Sequence, residues 1–64
     1  MSHEQSLESV IEKAHQAEII SKMLEVYPNK ITDSEITALA SLLTNLTGDV
    51  AAWLIEELSL REGK

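Results

Sequence analysis

The sequence predicts an all-α fold: a two-helix antiparallel hairpin that dimerises into a four-helix bundle. Three observations point there. Between Ile36 and Leu58 the large apolar residues recur at spacings of three and four, as Ile36, Leu39, Leu43, Leu46, Val50, Trp53 or Leu54, and Leu58, which is the seam of an amphipathic helix. One Pro and two Gly in 64 residues are too few turn formers for a multi-stranded sheet. The chain is 44% hydrophobic yet has no Phe, one Tyr and one Trp, so its core is aliphatic and suited to helices.

The first helix is expected over about residues 3–27. Ser2 with Gln5 forms a weak capping box, and Glu4 and Glu8 complement the positive end of the helix dipole. Its first half carries an apolar stripe of Leu7, Val10, Ile11, Ala14 and Ala17, continued along one edge by Ile20, Leu24 and Tyr27. Ile19, Met23 and Val26 fall on the side opposite Leu7 and Ala14. The last three turns are therefore apolar over most of their circumference, a pattern of helices covered on more than one side.

A loop is expected at 28–32, where Pro28 drives Tyr27 away from helical dihedrals and Asn29 suits a turn. Thr32-Asp33-Ser34-Glu35 matches the capping box and starts the second helix at Asp33. That helix is expected to run to about residue 61, with Arg61, Gly63 and Lys64 supplying the basic charge and glycine stop of a C-terminus. Thr47-Gly48 is its weak point. A break there gives three short helices, the alternative fold, because Gly costs about 1 kcal/mol against Ala in a helix interior. The seam keeps its phase through the segment, however, and a loop would reset it; one continuous helix is the expectation.

Sixty-four residues form one domain, 1–64, and a chain this short buries only about 60% of its unfolded surface. With no cysteine, neither disulfides nor thiolate zinc sites can make up the deficit. Unusually good helix packing and self-association are the remaining routes. A lone hairpin is expected to leave Leu42, Leu46 and Trp53 in an exposed patch that a second hairpin would close, around a two-fold axis. The predicted dimer or core seam is Leu39, Leu43, Leu46, Val50, Trp53 and Leu54.

Charge narrows the partners. Five Lys and Arg against eleven Asp and Glu give −6, and the cations are scattered, so nucleic acid is not an expected partner. No apolar run approaches a membrane span and the N-terminus lacks a signal pattern, so a membrane is not expected either, and the cytoplasm is the expected compartment.

Chemistry is thinly represented. Glu12-Lys13-Ala14-His15 has the Glu-x-x-His spacing of di-iron bundles, but the stripe through Val10, Ala14 and Ala17 puts Glu12 and His15 outside. His3 falls in a terminus expected to fray, and no Ser or Cys nucleophile has a base partner. No catalytic residue, no metal ligand and no cofactor is expected; the chain reads as a non-enzyme. Trp53 lies on the seam, where its indole N–H needs a partner or an edge position. The candidate partner surface is Ile19, Met23 and Val26, whose spacing and pliable Met suit binding of a helix in a groove.

In length, two-helix layout and acidic charge the whole chain resembles the plasmid repressor-of-primer proteins. That resemblance implies a homodimer of helical hairpins and, as an alternative function, an RNA-binding regulator acting through helix 1. Its polar and basic face has no residue-by-residue match here, since Lys13 and Lys22 point to different sides and Glu4, Glu8 and Glu12 line one flank. The leading expectation is a small acidic protein-interaction or regulatory module, homodimeric and acting by binding another protein.

Overall fold

Two local signals organise the N-terminal part of the chain in the computed structural model, which describes residues 3–27 and 29–63. Ser6, in extended conformation, accepts a hydrogen bond from the Ser9 amide at 3.1 Å and so caps α1, Leu7–Val26. The helix thus begins four residues later than expected. Ser2 of the expected box lies outside the described residues, and residues 3–5 are spent on another contact, described below. At the other end the Tyr27 amide donates to the Met23 carbonyl and the Lys30 amide to the Tyr27 carbonyl, turning the chain. Pro28 lies outside the described residues.

The second helix, α2, is Asp33–Arg61. Its capping box is complete: the Glu35 amide donates to Thr32 Oγ1 at 3.2 Å, and the Thr32 amide donates to Glu35 Oε1 at 2.8 Å. Hydrogen bonding to the carboxylate from the Thr32 backbone amide, then from the Thr32 side chain, holds the Glu35 carboxyl below the usual glutamate range. Gly63 ends the helix at φ 77°, the left-handed conformation glycine takes without strain, with its amide on the Leu60 carbonyl. Lys64 lies outside the described residues.

The helix runs through Gly48 without a break, so the three-helix alternative is not adopted. Its threonines explain how. Thr47 Oγ1 donates to the Leu43 carbonyl at 2.8 Å, as Thr44 does to Ala40 and Thr37 to Asp33. Each hydroxyl is satisfied within its own helix and does not compete for the backbone. A Cβ built on Gly48 meets nothing within 4 Å. Gly48→Ala is therefore expected to stabilise by about 1 kcal/mol, raising the thermal midpoint by roughly 4–8 °C; an unchanged or lower midpoint by circular dichroism would contradict it.

The helices run antiparallel, since Lys13 reaches Asp49 and His3 reaches Glu57 across the pair. They make a rod of 48 × 16 × 16 Å. Its core is a small cluster of Ala17, Ile20 and Leu46, with Leu24, Leu39 and Leu43 packed against it. On α1 the inward line is Val10, Ala17, Ile20 and Leu24; on α2 it is Leu39, Leu43, Leu46, Val50 and Trp53, all buried or half-buried. The α2 line alternates spacings of four and three, and the α1 line does the same once half-buried Lys13 is counted between Val10 and Ala17, the knobs-into-holes repeat.

Two expectations about this packing need correction. Leu7, Ile11 and Ala14, placed on the inward stripe from sequence, are exposed, because the inward line passes through Val10 and Ala17 and leaves them on a flank. Leu46 and Trp53, expected to lie open in a lone hairpin, are covered: Leu46 is 8% exposed, packed on α1. Only Leu42 of that trio is exposed.

Candidate functional site: a polar clasp on Trp53

The densest group of specific contacts lies where the N-terminal segment crosses α2. The His3 ring stacks on the Trp53 indole with centroids 4.2 Å apart and planes 10° from parallel. His3 Nε2 lies 2.8 Å from Glu57 Oε1, and Nδ1 lies 3.0 Å from Glu56 Oε1 without hydrogen-bond alignment. Both contacts are favourable together only when each ring nitrogen carries a proton, since a carboxylate oxygen only accepts. Glu57 also accepts from Arg61 Nε at 2.8 Å. Two residues on, the Gln5 carbonyl accepts from Trp53 Nε1 at 3.2 Å, which supplies the partner the indole needs.

Gln5 carries the clasp onto α1. Its side-chain amide donates to the Asp49 carbonyl at 3.0 Å and its Oε1 accepts from Lys13 Nζ at 2.6 Å. Lys13 Nζ also donates to Asp49 Oδ2 at 2.9 Å. His3 is therefore not frayed as expected. Its ring covers an aromatic face that would otherwise meet water, and Gln5 fills backbone and side-chain partners from both helices.

The hydrogen bond from His3, then that from Arg61, hold the Glu57 carboxyl below its ordinary value of 4.5. A carboxyl whose folded pKa is depressed contributes stability that is present above the unfolded value and lost as pH falls through the folded one. The Glu57 contribution to the clasp is accordingly expected to be present above pH 4.5 and to be lost as the pH falls below it, read through the fluorescence of Trp53, the single tryptophan. In His3→Ala the Glu57 titration should rise toward 4.5 by carbon NMR; a titration that does not move would show that His3 leaves the carboxylate unaffected.

The two imidazole nitrogens face different carboxylates and do not converge on one point. Among the described residues no group of three or more His, Cys, Asp or Glu could hold a metal ion. Glu12 and His15 are exposed on α1, the side on which the sequence put them.

The sequence-derived candidates distribute as follows. Leu39, Leu43, Leu46, Val50 and Trp53 line the inner face of α2, whereas Leu54 is 57% exposed on its flank. Ile19, Met23 and Val26 are all exposed on α1, with Tyr27 beside them. Met23 alone of the three lines a shallow groove at the loop end, with Ile31, Ala38 and Leu39 as its apolar walls and Lys30 and Glu35 at its rim. The clasp itself went unread in the sequence. A lone Trp with two glutamates a turn beyond was its signal, but nothing local tells which distant segment will cover an indole.

By length and composition α2 is long and apolar enough to cross a membrane, a test that the core helix of a soluble protein also passes. Its charge-free part ends at Asp49, which Lys13 neutralises across the hairpin.

Comparison with protein-family models, curated proteins and solved structures yields no match. The resemblance to repressor-of-primer proteins consequently rests on length, layout and charge alone.

Proposed function

We propose that this chain is a non-enzymatic interaction module that works as a homodimeric helical bundle and acts by binding another protein. One observation carries the dimer. The chain exposes 4979 Å², whereas a compact monomer of 7.1 kDa exposes about 4,100 Å². The surplus, about 900 Å², is close to the roughly 800 Å² that one partner contributes to a standard interface. Its composition agrees: among the described residues twelve large hydrophobics are exposed against four buried apolar ones.

The surface of Ile19, Met23 and Val26 is the part of the module assigned to a protein partner, for an apolar face with a pliable Met accommodates an amphipathic helix. RNA binding through helix 1 gains nothing from the geometry, since Lys13 is already held by Asp49 and Gln5.

Sedimentation equilibrium at micromolar concentration tests the dimer and should return twice 7.1 kDa. A well-folded monomer would overturn it. Affinity capture from the native host with unaltered chain and with Met23→Asp, read by mass spectrometry, tests the partner surface: a protein retained by the first and lost by the second supports it, and identical captures count against it.

A further inference from the structure

We infer that the second copy of the chain docks on one flank of the hairpin, the surface formed by Leu7 and Ile11 of α1 with Leu54 and Leu58 of α2. The inference rests on the homodimer reading and assigns it a face. All four side chains are more than half exposed. Lys13 stands level with Asp49 and His3 with Glu57, and that register sets Leu7 level with Leu54.

Helical rotation puts the four on one side. At 100° per residue, Leu54 and Leu58 are displaced from the inward line of α2 in the same sense as Leu7 and Ile11 from that of α1. Because the helices are antiparallel, equal senses of rotation reach the same side of the hairpin. The patch is therefore one surface shared by both helices.

The other side at this level is already occupied. Asp49 and Glu56 are displaced from the inward line in the opposite sense, and there His3, Gln5 and Lys13 cover α2. The open flank is also uncharged where it matters: from Thr47 to Leu58 its α2 positions are Thr47, Ala51, Leu54 and Leu58. Toward the loop the same flank of α1 carries Glu18 and Glu25, which bound the patch.

A second copy is the occupant that matches these facts. Two chains of charge −6 repel each other least where uncharged surfaces meet, and burying such a surface carries no ion-desolvation cost. The surplus area is also that of one protomer's share of an interface.

Carbene footprinting of the unaltered chain, above and below the dissociation concentration found by sedimentation, tests the assignment. On dimerisation, labelling of Leu7, Ile11, Leu54 and Leu58 should fall severalfold while Ile19 and Val26 stay as before. Protection at Ile19 and Val26 instead, or no protection at the four, would overturn it. The double substitution Leu54→Asp with Leu58→Asp should weaken the dimer at least 100-fold, against less than threefold for Met23→Asp; should the double variant lose its helicity, the footprint of the unaltered chain decides. A double variant that stays folded and dimeric overturns the face and leaves the dimer standing. A monomeric unaltered chain overturns both, as does one whose four residues are shielded by phosphatidylcholine vesicles without self-association.

Discussion

Leu46→Ala is expected to lower stability by about 2–3 kcal/mol, the low end of the range for buried leucines. The side chain is 8% exposed and anchors the cluster with Ala17 and Ile20. The low end applies because a two-helix layer with open flanks can close over a cavity better than a core enclosed on all sides. The effect is still large in proportion. A domain of this size has roughly 3–10 kcal/mol in total, so the variant should show a much lower thermal midpoint and partial loss of helicity at 25 °C. Leu42→Ala removes the same atoms from an exposed site away from the proposed dimer flank and serves as the control, with a smaller loss expected. An equal midpoint for Leu46→Ala and the unaltered chain would mean that the core lies elsewhere.

Trp53→Ala is expected to release the N-terminal segment and cost about 2 kcal/mol, less than the 3–5 kcal/mol of a fully buried aromatic because Trp53 is half-buried. Two contacts disappear together, the His3 stack and the indole bond to the Gln5 carbonyl, along with the half-buried area of the ring. Amide exchange separates these from a general loosening. The His3 ring protons should lose the ring-current shift of the indole while the amides around Ile20 and Leu46 keep their protection. Trp53→Phe should fall between, holding the stack and losing about 1 kcal/mol with the N–H bond. Uniform acceleration of exchange in both variants would show that Trp53 supports the helix pair as a whole and does not serve chiefly as the seat of the clasp.

The parts of the fold legible in the sequence are those decided within a few residues. Thr32 and Glu35 are three positions apart, and the box they form needs nothing else. The phase of Leu43, Leu46, Val50 and Trp53 likewise carries α2 through Gly48, because a helix conserves rotation and a loop does not. The same reasoning went astray at the start of α1. Ser2-Gln5 and Ser6-Ser9 are both plausible local starts, and the choice between them turns on whether residues 3–5 have something better to do than be helical. They do: His3 and Gln5 reach Trp53 and Asp49, more than forty positions away.

The inward line of α1 was misplaced for a related reason. Leu7, Ile11 and Ala14 look as apolar as Val10 and Ala17, so composition cannot rank the flank against the face. Packing ranks them, since the small Ala17 lets Leu46 approach and so sets the rotation of the whole helix. By itself, then, the sequence determined that the chain makes two helices, where the second begins, and how much apolar surface they carry, because hydrogen bonding and periodicity are local. Only the tertiary structure decided which of that surface turns inward, and that a terminal histidine and glutamine close over Trp53. Those outcomes depend on contacts between residues far apart in the chain, and no local propensity encodes them.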